Sequence, residues 1–197
     1  MRDRCLLHGS ILEPRPELVG SLVTAVPSAL ARQPCAGALT ERERRAALAS
    51  VERALRVTDN DALTSVKCPI LATVGRQLAV DHNDALTGVE IPALSEVGGY
   101  LGVRHNDALS SFEFPSLTSL NGVLGQGDDL SALIVLGNER LARFDLSSLH
   151  TVTGDLLVSQ NELLAQCEVD HFAAQLEELE WIGDWFGESN CTECRCD

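Results

Sequence analysis

Apolar residues recur in this chain with two periods, every second residue inside short runs and every 23 residues between runs. The longer period is clearest from asparagine: Asn60, Asn83, Asn106, Asn138 and Asn161 are separated by 23, 23, 32 and 23 positions. The interval of 32 is one period plus nine inserted residues. Five positions before each Asn stand Leu55, Leu78, Leu101, Leu133 and Leu156, and three before stand Val57, Val80, Val103, Val135 and Val158. Three positions after come Leu63, Leu86, Leu109, Leu141 and Leu164, then at six Val66, Val89, Phe112, Phe144 and Cys167. At eight stand Cys68, Ile91, Phe114, Leu146 and Val169, and at eleven Leu71, Leu94, Leu117, Leu149 and Phe172. Chance does not keep so many columns in register over five copies. Leu-x-Val is strand-like alternation, so each unit is predicted to be a coil of two or three short strands joined by turns. One coil cannot bury its apolar face alone, but coils stacked at a strand spacing of roughly 4.8 Å give continuous apolar ladders in a parallel solenoid. Pro69, Pro92 and Pro115 share one column, which suits a corner where no ladder N–H is needed.

The Asn column follows from the same picture. An inward bend turns backbone groups toward the core, where each unpaired group costs about 1–3 kcal/mol. A side-chain amide both donates and accepts, so stacked Asn60, Asn83, Asn106, Asn138 and Asn161 are expected to form a structural ladder. A solenoid also needs closed ends. "LTERERRAALASVERAL" reads as an N-terminal cap helix within 35–54, with Thr40 as N-cap and Glu43 completing a capping box. Leu48 and Val51 fall in the columns of Leu71 and Val74, so this helix is expected to replace the back of a coil. At the other end Val169, Phe172, Leu176 and Leu179 keep helical spacing and can close the stack. Residues 1–34, with Pro14, Pro16, Pro27 and Pro34, read as an unstructured leader. The insertion "GVLGQGDDLS", 122–131, reads as a Gly-rich, acidic surface loop, either a functional excursion or a tolerated insertion.

The copies "VGRQLAVDHNDALTGVEIPAL" and "VGGYLGVRHNDALSSFEFPSL" resemble the receptor L domain, a leucine-rich-repeat-like right-handed β-helix. The resemblance covers about 51–172 and extends to bacterial cell-surface proteins built from such repeats. In those a last coil ends in Cys followed by a Val-Asp helix, as in "LLAQCEVDHFAAQL". It implies an all-β solenoid, a right-handed parallel β-helix of about five 23-residue coils with short helical caps at both ends, over 55–180. It also implies an extracellular or envelope-exposed module used for binding or spacing. The insertion and the C-terminal "CTECRCD" in 181–197 depart from the family pattern.

Composition narrows the function. Lys+Arg is 15 and Asp+Glu is 29, so the net charge is 15 − 29 = −14, which repels phosphate backbones and disfavours nucleic acid. No apolar run approaches the roughly 20 residues of a membrane-spanning helix. The stretch "LVGSLVTAVPSALA" has about the length of a signal-peptide core, with Arg2, Arg4 and Arg15 upstream. Glu13, Glu17 and Pro27 make that match poor, so export is weighed against a cytoplasmic chain. Of seven cysteines, Cys167, Cys191, Cys194 and Cys196 crowd the C-terminal end, which suits disulfides in an oxidising compartment, with Cys167 paired to one of the other three. Zinc on Cys191, Cys194 and Cys196, completed by Cys167 or His171, is the alternative. Cys68 shares a column with Ile91 and Phe114 and is expected to be a small buried hydrophobe.

The residue after each Asn is acidic, Asp61, Asp84, Asp107, Glu139 and Glu162, with Asp59, His82 and His105 beside this column. His82, Asp84, His105 and Asp107 are a candidate cation site, set against the simpler reading of solvated turns with carboxylates capping backbone N–H groups. No nucleophile elbow, P-loop, dinucleotide fingerprint or HExxH helix occurs. The expectation is a non-catalytic monomeric surface module without a cofactor, binding an unknown protein or glycan. A cation-dependent surface protein and a glycan-active β-helix enzyme are the rivals.

Overall fold

A 23-residue period closes into a coil when three short strands take turns facing one core, and a computed structural model of the chain has this arrangement. The structure describes residues 6–8, 49–122, 131–179, 181 and 183–195. Leu6–His8 (β1) stands apart in sequence. The first coil holds Ser50–Val51 (β2), Leu55–Thr58 (β3) and Ser65–Lys67 (β4), and the second Thr73–Val74 (β5), Leu78–Asp81 (β6) and Gly88–Glu90 (β7). The third holds Glu96–Val97 (β8), Leu101–Arg104 (β9) and Ser111–Glu113 (β10), and the fourth Ser119–Asn121 (β11), Ser131–Leu136 (β12) and Arg143–Asp145 (β13). In the fifth, Thr151–Thr153 (β14) and Asp155–Ser159 (β15) are followed by the helix Gln166–Glu177 (α1), and Trp185–Phe186 (β16) comes last.

The strands stack into three sheets, β2-β5-β8-β11-β14, β3-β6-β9-β12-β15-β16 and β1-β4-β7-β10-β13. Among the described residues, every strand pairing is parallel except β1 with β4. Register follows the sequence columns: Leu55 pairs with Leu78, Leu78 with Leu101, Leu101 with Leu133 and Leu133 with Leu156. The fold is therefore a parallel β-solenoid whose Leu and Val ladders are buried; Leu78, Val80, Leu101, Val103, Leu133 and Val135 are all fully enclosed. Coils approach so closely between the first two sheets that a Cβ on Gly98 would lie 2.5 Å from the carbonyl oxygen of Gly75. A chain of ring contacts, Phe114 to Phe112 to Phe144 to Phe172 to Trp185, ties the third and fourth coils to α1 and β16.

The ends differ in part from expectation. Leu6–His8, inside the range 1–34 read as an unstructured leader, instead pair antiparallel with β4, Leu6 opposite Lys67. Most of the cap helix expected over 35–54 lies outside the described residues; at its end Ser50–Val51 form a strand paired with Thr73–Val74, because Val51 fits the inward Val column of that sheet. At the C-terminal end Val169, Phe172 and Leu176 of α1 are buried, but Leu179 lies beyond the helix and is 45% exposed. Trp181 instead packs on the core, its indole N–H donating to the Gly154 carbonyl at 3.0 Å. The tail 181–197 is no mere appendix, since β16 extends the six-stranded sheet with Trp185 opposite Leu156. The insertion lies outside the described residues at 123–130; at its foot the Ser131–Leu133 pairing carries a bulge that buries Ala132. Among the described residues, no helix is long and apolar enough to cross a membrane.

Candidate functional site

The polar interior of the stack is built from one column. The backbone N–H of Asn83 and its side-chain Nδ2 both donate to Oδ1 of Asn106, at 3.2 and 3.1 Å. The same Nδ2 donates to the carbonyls of Val57 in the preceding coil and Asp81 two residues back, at 2.9 and 3.0 Å. Asn106 repeats this with Asn138, Val80 and Arg104, and Asn138 with Asn161, Val103 and Leu136. Asn60 begins the series by donating to Asn83. Asn161 donates to a sixth member, Asn190, whose Nδ2 donates to the Val158 carbonyl and to Oε1 of Gln166 in the first turn of α1. Asn83, Asn106, Asn138 and Asn161 are fully buried, and among the described residues no buried side-chain nitrogen or oxygen lacks a partner. Asn190 escapes the sequence pattern because it follows Asn161 by 29 residues; α1 replaces the third-sheet strand and lengthens the coil.

A second column precedes each Asn. Asp59, His82, His105, Gly137, Gln160 and Ser189 all have positive φ, between 51° and 64°. This left-handed turn lets the chain leave the second sheet and drop the next residue into the core. It costs a non-glycine L-residue roughly 1–2 kcal/mol. Only Gly137 announces the requirement in sequence.

The same turn sends the His82 and His105 rings to one side, with centroids 5.0 Å apart and planes tilted by 32°. A Cβ on Gly137 would lie 2.6 Å from Nδ1 of His105, so the next ring position in the stack is left open for the His105 imidazole. Asp84 and Asp107 sit two residues further along, exposed like Asp61, Glu139 and Glu162. Of the candidate cation set, the structure thus brings His82 and His105 together; among the described residues no three His, Cys, Asp or Glu side chains converge to hold a metal ion. Beside the histidines, Arg104 donates to both carboxylate oxygens of buried Asp81, at 3.0 and 2.8 Å.

The four described cysteines are all in disulfides. Cys191 bonds Cys194 with Cα atoms 5.5 Å apart, and Cys68 and Cys167 are disulfide-bonded as well. The zinc site considered for Cys191, Cys194 and Cys196 with Cys167 or His171 does not form, since Cys167, Cys191 and Cys194 are oxidised, and His171 lies in a shallow cleft beside Glu168 and Asp145. Cys68 is buried as expected of its column, at 2% exposure, but as half of a disulfide rather than as a free hydrophobe. Cys196 lies outside the described residues. Cys191 is also pinned by its backbone, donating to the Leu164 carbonyl and accepting from Gln166 N–H at the start of α1, both at 2.8 Å.

The outer face of the third sheet carries a polar trough of about 590 Å³. Ser65, Gly88 and Ser111 share its outward column, and Thr64 and Thr87 line it beside them. The ion pair Lys67–Glu90, at 2.6 Å, lines one side. No atom lies within 4 Å of where a Gly88 Cβ would be, so the glycine leaves the trough open rather than avoiding a clash. No family model matches the chain, and neither a curated protein nor a solved structure matches it.

Proposed function

We propose that the chain is a non-catalytic repeat module of the receptor L domain type that works outside the cytoplasm, presenting sheet faces to a protein or glycan. The observation that carries this reading is the use of its cysteines. Four described cysteines are in disulfides, and disulfides persist in oxidising compartments. The repeated Asn, the polar residue a ligand site would most obviously use, is spent on holding coils together. The open, hydroxyl-lined trough offers a face for recognition. A net charge of −14 argues against phosphate-bearing partners.

The test is expression with the native N-terminus in a bacterial host followed by fractionation. Export to the periplasm or medium, together with no turnover of a polysaccharide panel, is the expected result. Retention in the cytosol overturns the location, and hydrolysis lost in a Glu90→Gln or Glu113→Gln variant overturns the non-catalytic assignment.

A further inference from the structure

We propose that His82 and His105 form a two-imidazole site for a divalent transition-metal ion, with Cu²⁺ bound most tightly. The proposal is independent of the surface-module reading and does not use the acidic column. Three features of the fold point to it. First, both residues occupy the left-handed turn position of adjacent coils, so backbone geometry, held from inside by the buried Asn83 and Asn106, aims both side chains the same way. Second, the rings are already neighbours at 5.0 Å between centroids. Imidazoles binding one ion side by side, each at about 2.0–2.1 Å, bring their nitrogens to about 3 Å of one another. The two turns are one strand spacing apart, about 4.8 Å, so rotation about χ1 and χ2 is the movement the site requires. Third, the surroundings suit a cation. The column continues with the carboxylate residue Asp59 before His82 and with Gly137 after His105. The guanidinium of Arg104, the residue before His105, is offset by its two-pronged contact with the Asp81 carboxylate.

Imidazole favours Cu²⁺, Ni²⁺ and Zn²⁺ over hard cations, and the order of stability places Cu²⁺ first. With two protein ligands, water completes the coordination. The experiment titrates CuCl₂ into the full chain in a non-chelating buffer, followed by calorimetry and electron paramagnetic resonance. One site with two coordinated imidazole nitrogens is expected, and Cu²⁺ raises the melting temperature because it binds only the folded pair. His82→Asn and His105→Asn keep a residue that tolerates positive φ, so both fold, which circular dichroism checks. Each is expected to weaken binding at least about tenfold and to abolish the two-nitrogen signal. The double variant Asp84→Asn, Asp107→Asn binds as the parent does. A copper site that survives both histidine substitutions belongs to other groups, among them His8, His150, His171 or a free thiol, and overturns the proposal, as does the absence of any two-imidazole signal.

Discussion

Asn106 shows how much one side chain can hold. Its Oδ1 accepts from the backbone and side chain of Asn83, while its Nδ2 reaches the carbonyls of Val80 and Arg104 and the amide of Asn138. Asn106→Ala leaves several buried groups unpaired at a fully enclosed site. Urea denaturation is expected to give a loss of about 3 kcal/mol or more. Asn60→Ala, at the half-buried start of the column, is expected to lose clearly less. The Asn column was legible because an amide that must donate and accept has few substitutes. The left-handed column before it was not, because backbone conformation leaves no common side chain at Asp59, His82, His105, Gln160 and Ser189. Gln160, with φ of 57°, gives the test. Gln160→Gly is expected to stabilise by up to about 1 kcal/mol, since relief of the strained turn exceeds the entropic cost of glycine; a lower melting temperature would contradict that.

Within the elements, glycine separates two roles that look alike in sequence. Gly98 sits where coils touch, its absent Cβ 2.5 Å from a carbonyl oxygen, and Gly88 faces open space on the third sheet. Gly98→Ala is expected to cost about 1–3 kcal/mol through forced backbone movement. Gly88→Ala is expected to be neutral or stabilising by about 0.5–1 kcal/mol, because alanine loses less entropy in a strand. Thermal melts of the two variants read the difference. The five coils were legible because Leu, Val and Asn hold one register. The sixth rung was not, because α1 stretches the spacing from Asn161 to Asn190 and Trp185 stands where Leu156 stood before. Leu179 was misplaced for a related reason: helical spacing continued in the sequence after the helix had ended at Glu177.

At the scale of the molecule, the stack joins a repetitive interior to a C-terminal end that is secured in several ways. Gln166 terminates the Asn ladder, α1 and Trp181 cover apolar rungs, and the Cys191–Cys194 disulfide sits where β16 returns to the start of α1. Cysteine number and clustering were legible, but which sulfurs join was not, since connectivity depends on where the chain returns after α1. The candidate metal pair was half legible: His82 and His105 stood out by repetition, and only the shared turn conformation shows that their rings meet. Disulfides persist in oxidising compartments, so the thiols of the chain test the proposed location directly. With four of seven cysteines oxidised, 7 − 4 leaves at most three free thiols. The decisive measurement is a thiol count on protein isolated from its native host under non-reducing conditions, trapped with an alkylating agent and unfolded before mass spectrometry. The account predicts no more than three alkylated cysteines, with Cys68, Cys167, Cys191 and Cys194 unmodified; alkylation of all seven would contradict it.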